Sequence, residues 1–299
     1  IPGSMALDTI EAPTGSVTEV LGGAATYAAV ACSYFATAAP LCVVGEDFPK
    51  EHLDLLRQFN IDLTGIEVVP GRTFRWRARY LDDLNQRETL ETQLNVFAGF
   101  RPQLTPQQRQ TRYLFLANIH PRLQLDVLGQ VESPTLVAAD TNDLWIATER
   151  AALEELIAGC DIMFLNDSEA RLFLGAADLR EAAEQILGLG PRFVVIKRGE
   201  YGSLVFGEGR LFLAPAFPVE HVLDPTGAGD AFAGAALGYL AAADSLEWDA
   251  LRTAIVWGAV AASFVVEDFS VSRLLGLTRA RLLERYRSLL EMTAFPDPA

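Results

Sequence analysis

Asp230 is the residue of this sequence whose surroundings most clearly suggest chemistry. It follows the turn Gly227-Ala228-Gly229 and precedes a run of small and apolar residues, 231–243, that predicts a helix. Glycine adopts backbone conformations that other residues avoid, so the turn presents free backbone N–H groups at the start of that helix. Such N–H groups and the helix dipole attract an anion. Asp230 is therefore either an ordinary N-cap or a base that accepts a proton beside a bound anion.

The segment 224–232 reads Asp-Pro-Thr-Gly-Ala-Gly-Asp-Ala-Phe, and it resembles the C-terminal motif of the ribokinase-like (PfkB) carbohydrate kinase family. The resemblance implies that Asp230 is the catalytic base and that the amides of the Gly-Ala-Gly turn hold the charge on a transferred phosphoryl group. It also implies that Thr226 contacts the nucleotide, that ATP is the phosphoryl donor and that Mg²⁺ accompanies it.

A group of residues near the N-terminus resembles the acceptor site of the same family. Asp8 follows a strand-like segment, where an Asp of the family hydrogen-bonds the acceptor hydroxyls. Gly22 and Gly23 open a small-residue helix, match the glycine pair that contacts the sugar, and let a ligand approach the backbone closely. Tyr27 stands where the family usually has Asn, which argues against plain ribose or fructose as the acceptor. Asn118, at a strand end, is a further candidate for acceptor contact.

Asn166 and Glu169 match the Asn-x-x-Glu motif that organises magnesium and phosphate in the family. Mg²⁺ prefers oxygen ligands and keeps several waters, so one amide and one carboxylate suffice. The same spacing is that of a helix N-cap followed by its capping-box Glu. Both interpretations stay open at this point.

Two further strand ends resemble the nucleotide side of the family's site. Asn142 belongs to an Asp-x-Asn pattern, although the Arg often found two residues later is Leu144 here. Lys197 ends another strand, and Gly199 and Gly202 form the Gly-x-x-Gly turn that lies near the phosphates in the family. The resemblance therefore assigns Asn142, Lys197, Gly199 and Gly202 to nucleotide binding.

From residue 112 onward, short apolar segments alternate with helical segments. Continuous apolar strands separated by helices indicate a parallel sheet covered on both faces, with ligand sites at the carboxyl ends of its strands. Several of those ends are polar here. Together with the motifs, the pattern predicts an α/β fold, a ribokinase-like three-layer sandwich with a central, mostly parallel sheet.

Residues 9–21 and 66–100 interrupt this alternation with strand-like segments. We expect them to form a small β-sheet lid over the acceptor. Residues 1–8, 22–65 and 101–299 then form the α/β domain that binds nucleotide and substrate. A lid serves a kinase because it excludes water, which would otherwise compete for the phosphoryl group.

One lid segment alternates aromatic and basic residues, with arginines at 75, 77 and 79. Such a row is more typical of a solvated sheet face than of a substrate contact. An exposed lid sheet can also pair with another chain, so a homodimer through the lid is an expectation.

Composition excludes several classes of protein. The 299 residues carry a net charge of −15, which argues against a sequence-independent nucleic-acid binder. The longest apolar runs, 231–243 and 254–266, are too short to span a bilayer. The scattered cysteines 32, 42 and 160 indicate a reducing compartment, so we expect a cytoplasmic protein. The chain begins at Ile1 without Met, and a trimmed first strand is one interpretation of that start.

The function predicted from these observations is transfer of the γ-phosphoryl group of ATP to a hydroxyl of a small sugar or sugar derivative. A nucleoside kinase of the same family is the alternative, because Tyr27, Phe74 and Trp76 offer rings that could stack on a base. A non-catalytic nucleotide or sugar sensor on the same fold is a second alternative.

Overall fold

The computed structural model describes residues 1–175 and 178–296. The strands are β1 (Ala6–Ala12), β2 (Gly15–Gly22), β3 (Cys42–Gly45), β4 (Ile66–Val69), β5 (Arg75–Tyr80), β6 (Arg87–Gln93), β7 (Tyr113–Leu116), β8 (Leu136–Asp140), β9 (Ile162–Asn166), β10 (Phe193–Lys197), β11 (Ser203–Gly207) and β12 (Arg210–Ala214). The α-helices are α1 (Ala24–Cys32), α2 (Lys50–Leu56), α3 (Pro106–Arg109), α4 (Pro121–Leu128), α5 (Asp143–Thr148), α6 (Arg150–Ala158), α7 (Asp167–Leu174), α8 (Leu179–Leu187), α9 (Ala228–Ala243), α10 (Trp248–Val265), α11 (Ser272–Leu275) and α12 (Arg279–Thr293).

The central sheet has the strand order β12-β11-β10-β9-β8-β7. Strands β7 to β10 run parallel, whereas β11 is antiparallel to both of its neighbours. The apolar residues of β9 are fully buried, as strands covered on both faces must be. The predicted mostly parallel sheet is confirmed.

Helices cover both faces of this sheet. Alternate side chains of a strand point to opposite faces, so Phe115 and Phe164 pack with helices α1, α9 and α10. Their neighbours Leu116 and Leu165 pack on the other side with α6, α7 and α8. This arrangement confirms the three-layer sandwich. Within the described residues, none of the helices has the length and apolar character needed to cross a membrane.

Helices α1 and α9 touch almost backbone to backbone. A Cβ atom at Gly234 would overlap the backbone of Ala28, and one at Gly238 would lie 2.8 Å from the carbonyl oxygen of Cys32. The two glycines are four residues apart, and so are Ala28 and Cys32, in the same order along the chain. Helices α1 and α9 therefore run in the same direction. Their first turns, after Gly23 and Gly227, therefore lie at the same end of the pair.

A separate four-stranded sheet has the order β2-β1-β5-β6. Strand β1 pairs parallel to β5, and the two outer pairings are antiparallel. Pairing in β1 begins at Ala6, slightly before the boundary that the sequence suggested at residue 9. The domain boundaries and the homodimer through the lid stay predictions.

The arginine row lies on the outer face of this lid sheet. Arg77 and Arg79 both form ion pairs with Glu11, at 2.5 and 2.8 Å. Arg75 pairs with Glu19 at 2.6 Å. The opposite face of the lid therefore carries the side chains that can meet a ligand.

Candidate active site

A cavity of about 1210 Å³ lies between the lid sheet and the core, at the start of helix α9. Side chains of β5, β6 and the core loops line it together. The structure thus brings the N-terminal glycine motif and the C-terminal motif to one site, although they are far apart in the sequence. The predicted site residues that line the cavity are Asp8, Gly23, Tyr27, Asn118, Asn142, Thr226, Gly227 and Asp230.

Helix α9 begins with backbone N–H groups directed away from the helix. Gly227 precedes the helix with a φ of 74°, a conformation that favours glycine. The N–H groups of Gly227 and Gly229 have no hydrogen-bond acceptor among the described residues. The N–H of Ala228 differs from the expectation, because it donates to the carbonyl oxygen of Pro225 at 3.2 Å. Of the three amides predicted to form an anion hole, those of Gly227 and Gly229 are therefore free to bind an anion, and that of Ala228 is already used.

Asp230 lies in the first turn of α9 and is only partly exposed. Burial, and then the negative charge of Asp140, raise its pKa to about 7. The positive charges of Lys197 and Arg87 oppose this rise without cancelling it. A carboxylate with this pKa can accept a proton at neutral pH far better than an ordinary aspartate.

Asp8 lines the same cavity as Asp230 and lies within electrostatic range of it. Burial raises the pKa of Asp8 to about 7, and the charges of Asp224 and Asp230 add to the effect. The N–H of Gly23 hydrogen-bonds the carboxylate of Asp8 and lowers its pKa in part. A Cβ atom at Gly22 would overlap that carboxylate, so the glycine is required for the close approach. Asp8 is therefore held where it could accept hydrogen bonds from acceptor hydroxyls.

Tyr27 is almost fully buried, with 2% of its surface exposed. Its ring lies directly against Gly227, where a Cβ atom would overlap it. Burial raises the pKa of its hydroxyl well above the usual value. The structure thus places Tyr27 as a support for the Gly227 turn, with little ring surface left for stacking on a base.

Asn118 and Asn142 meet around Trp145, which sequence reasoning missed. Trp145 donates from its indole Nε1 to Oδ1 of Asn118 at 3.0 Å, and its backbone N–H donates to Oδ1 of Asn142 at 3.2 Å. The ring of His120 lies 4.9 Å from the ring of Trp145. Asn142 was assigned to the nucleotide, but here it caps α5 on the same wall as Asn118.

Thr226 links the C-terminal motif to the lid. Its hydroxyl lies 3.0 Å from the hydroxyl of Tyr80 on strand β5. Its N–H donates to the carboxylate of Asp224 at 2.9 Å. Thr226 therefore holds the turn before Gly227 in place, in addition to any contact with a nucleotide.

Lys197, at the carboxyl end of β10, does not line the cavity but reaches the same turn. Its Nζ lies 2.5 Å from Oδ2 of Asp140 and 3.1 Å from the position of a Cβ atom at Gly229. Burial lowers the pKa of Lys197, but the charges of Asp140, Glu169 and Asp230 outweigh burial and raise it. Lys197 is thus positively charged beside the anion hole.

The turn after Lys197 requires both of its predicted glycines. Gly199 and Gly202 have φ values of 53° and 78°, and the N–H of Arg198 donates to the carbonyl oxygen of Gly202 at 2.8 Å. A Cβ atom at Gly202 would overlap the carbonyl oxygen of Ala214. This compact turn directly follows Lys197, the last residue of β10.

Asn166 and Glu169 form a capping box at the start of α7. The N–H of Glu169 donates to Oδ1 of Asn166 at 2.8 Å, and the N–H of Asn166 donates to Oε2 of Glu169 at 2.6 Å. Burial raises the pKa of Glu169 to about 7, whereas Lys197 lowers it in part. In residues 1–175 and 178–296, no group of three or more His, Cys, Asp or Glu side chains is arranged to hold a metal ion.

Arg87 is another residue that sequence reasoning missed, because it ends a polar turn, 81–87. It opens strand β6 and lines the cavity opposite the outer arginine row. The signal that could have found it is the alternation of strand β6, which puts Arg87 and Thr89 on one face.

Comparison with known proteins gives one consistent result. The family model described as "pfkB family carbohydrate kinase" matches residues 6–275. A cytidine kinase from Thermococcus kodakarensis is 32% identical over 245 residues, which are 80% of this chain and 86% of the relative. A 2-dehydro-3-deoxygluconokinase from Dickeya dadantii is 34% identical over 218 residues, 62% of this chain and 64% of the relative.

Among solved structures, the nucleoside kinase of Burkholderia thailandensis in complex with inosine superposes with a TM-score of 0.77 over 97% of each chain. At 19% identity, this likeness shows the shared fold. Membership in a family of kinases favours an enzyme over the alternative of a non-catalytic sensor. It also implies that ATP is the phosphoryl donor. The chain belongs to the pfkB family of carbohydrate kinases and is a phosphotransferase that acts on an alcohol group.

Proposed function

We propose that the chain transfers the γ-phosphoryl group of ATP to a hydroxyl of a sugar or sugar derivative bound in the cavity. The hydroxyl oxygen bonds to the γ-phosphorus while the bond from that phosphorus to the β,γ-bridging oxygen breaks. The electron pair of the broken bond leaves with ADP, and the hydroxyl proton passes to Asp230. Transfer of this kind depends mainly on positioning and on stabilisation of charge.

The observation that supports this proposal most is the placement of Asp230. Its carboxylate has a pKa of about 7, and the residue lines the cavity directly after Gly229 in the sequence. The N–H groups of Gly227 and Gly229 are available to the oxygens of a transferred phosphoryl group. Asp8, which lines the same cavity, is available to orient the acceptor.

Magnesium fits the donor atoms on the nucleotide side, and we propose it as the companion of ATP. The potential metal ligands of Asn166 and Glu169 are their side-chain oxygen atoms, which Mg²⁺ prefers. Each already uses one oxygen in the capping box, so they would hold the ion through water. When bound, the ion neutralises charge on the phosphates.

A nucleoside is the acceptor class that the cavity wall favours. Trp76 of the lid and Trp145 of the core both line the cavity, together with the ring of His120. Aromatic rings stack on the whole face of a nucleobase, whereas a free sugar presents them only the C–H groups on one side of its ring. The cytidine kinase relative supports this class; the 2-dehydro-3-deoxygluconokinase relative keeps a sugar acid as the competing acceptor.

The substitution Asp230→Asn tests the proposed base. We expect kcat to fall by about 10²–10⁴-fold, because a general base contributes that much to transfer. Affinity for ATP, measured by calorimetry, stays close to that of the wild type. A variant that keeps the wild-type kcat would rule out Asp230 as the base.

A panel of acceptors tests the acceptor class. Release of ADP is measured with cytidine, adenosine, ribose, fructose and 2-dehydro-3-deoxygluconate. We expect the highest kcat/KM with a nucleoside, and we expect Trp76→Ala and Trp145→Ala to raise the KM for that nucleoside more than the KM for ATP. A preference for the sugar acid, unaffected by either substitution, would contradict the nucleoside assignment.

A further inference from the structure

We propose that Arg87 is a catalytic residue, a cation carried by the lid that binds the phosphoryl group during its transfer. The inference rests on the proposed kinase function and adds to it a residue outside the motifs of the core domain.

Strand pairing places Arg87 near the anion hole. Arg87 pairs across the lid with Tyr80, and paired side chains of neighbouring strands project to the same face. The hydroxyl of Tyr80 lies 3.0 Å from the hydroxyl of Thr226, the residue before Gly227. Arg87 and Gly227 line the same cavity. The guanidinium of Arg87 therefore lies on the side of the cavity where the N–H groups of Gly227 and Gly229 are free.

A second contact fixes the same strand end against the phosphate-side turn. Asn85, two residues before Arg87, donates from Nδ2 to Oε2 of Glu200 at 3.1 Å. Oδ1 of Asn85 lies 2.8 Å from the position of a Cβ atom at Gly199. Arg87 thus stands between two contacts of the lid, one with Thr226 of the C-terminal motif and one with the turn after Lys197.

The charges around the site need a cation at this place. Asp8 and Asp230 line the cavity, and the charges of Asp224 and Asp140 act on them. Asp140 also acts on Glu169, at the start of α7. The mutual repulsion of these carboxylates contributes to the raised pKa values of Asp8 and Asp230. An anionic phosphoryl group that moves through this field is repelled unless positive charge accompanies it.

Two cations act on these carboxylates, and one of them is already paired. Lys197 is bound to Asp140 at 2.5 Å. Arg87 forms no ion pair with the residues that the structure describes; its guanidinium stacks over Trp76 at 5.5 Å from the ring centre and hydrogen-bonds the hydroxyl of Tyr80. Its charge still lowers the pKa of both Asp230 and Glu169, so it lies within electrostatic reach of both sides of the transfer.

The chemistry of the guanidinium suits the role. During transfer, negative charge shifts onto the equatorial oxygens of the phosphoryl group and onto the oxygen that leaves with ADP. Arginine presents several N–H donors in a planar fork and stays charged at any working pH. Because Arg87 is on the lid, it reaches the phosphoryl group only when the lid covers the acceptor, which protects ATP from water.

The test compares Arg87→Gln and Arg87→Lys with Arg79→Gln. Arg79 lies in the same hairpin but on the outer face, paired with Glu11. We expect Arg87→Gln to lower kcat by about 10²–10³-fold, as loss of a charge-stabilising donor does, with both KM values changed about threefold or less. Arg87→Lys recovers part of that loss, and Arg79→Gln keeps the wild-type kcat.

A binding experiment separates this role from a structural one. The complex of ADP with aluminium fluoride imitates the phosphoryl group in transfer, and its affinity is measured by calorimetry in the presence of Mg²⁺. We expect Arg87→Gln to weaken this complex by about 10-fold or more while binding ADP alone like the wild type. Equal weakening of both ligands, or a kcat within about threefold of the wild type, would overturn the proposal. Wild-type protein without turnover on any acceptor would instead count against the proposed function itself.

Discussion

Asp8, Glu169 and Asp230 each have a pKa of about 7 in the folded chain. Burial is the largest cause for all three, because a low-dielectric environment disfavours the charged form. Their closeness adds to it, since Asp230 raises the pKa of Asp8 and Asp140 raises those of Asp230 and Glu169. The site therefore changes its charge within the range in which a kinase works.

The pH dependence of turnover follows from Asp230. The base must be deprotonated before it can accept the hydroxyl proton, so kcat/KM for the acceptor rises with pH up to about 7 and then levels off. The measurement is a pH profile at saturating ATP, with Asp244→Asn as a control outside the cavity. A profile that is flat from acid to neutral pH would contradict the assignment of the base.

The same shift predicts how stability depends on pH. The unfolded chain releases the Asp230 proton near pH 4, whereas the folded chain keeps it until about pH 7. Stability contributed by the protonated form is thus lost as pH rises through that range. Asp230→Asn should be more stable than the wild type at pH 8 by about 1–3 kcal/mol, with the gain shrinking as pH falls toward 4.

Urea unfolding at several pH values checks this result, and Asp244→Asn provides a control of opposite sign. Asp244 has a lowered pKa, because Tyr113 and Arg112 hydrogen-bond its carboxylate. Its contribution to stability is present above pH 4 and is lost as pH falls below that. At pH 8 the Asp244→Asn variant should therefore be no more stable to urea than the wild type. A gain in stability equal to that of Asp230→Asn would contradict the pKa explanation.

At the scale of single elements, one pair of residues at the start of helix α7 has two roles. Asn166 and Glu169 cap the helix and are also the residues proposed to hold magnesium through water. Substitution by Gln separates the roles, because a capping box accepts Glu or Gln at this position but only Glu is charged.

For Glu169→Gln we expect unchanged or slightly higher thermal stability and a Mg²⁺ requirement raised by about 10-fold, the usual effect of losing an outer-shell group. Magnesium titrations of activity and thermal melting measure the two effects. Asp167→Asn removes a charge from the same helical turn without touching the capping box and serves as the control. An identical magnesium titration for wild type and Glu169→Gln would remove this residue from the metal site.

The elements themselves were largely predictable from sequence. A continuous apolar segment such as β9 predicts a strand buried on both faces. Gly23 and Gly227 mark turns with positive φ, a conformation that other residues avoid. Side-chain direction was not predictable. Tyr27 faces the Gly227 turn and Asn142 faces Trp145, since packing between distant segments decides where such side chains point. Arg87 escaped notice because its position depends on pairing with Tyr80 across the lid.

At the scale of the molecule, the net charge of −15 acts on every state of the chain. Repulsion between like charges destabilises a compact protein, and salt screens it over about 8–10 Å at moderate ionic strength. The melting temperature should therefore rise with sodium chloride concentration at pH 8. At the sequence pI of about 4.6 the net charge vanishes and so should the effect, which calorimetric scans at both pH values measure. An equal rise at both would point to a salt effect unrelated to net charge.

The contact of α1 with α9 has a consequence for how such an enzyme can change its acceptor. With main chain resting on main chain at Gly234 and Gly238, neither glycine can be enlarged, and the buried ring of Tyr27 already fills the space beside Gly227. New acceptor preferences must then arise at positions such as 76 and 145, on the lid and the outer wall. Substitutions at positions 76 and 145 would leave helices α1 and α9 unchanged. Such variants would keep Asp230 in place as the base while the preferred acceptor changes.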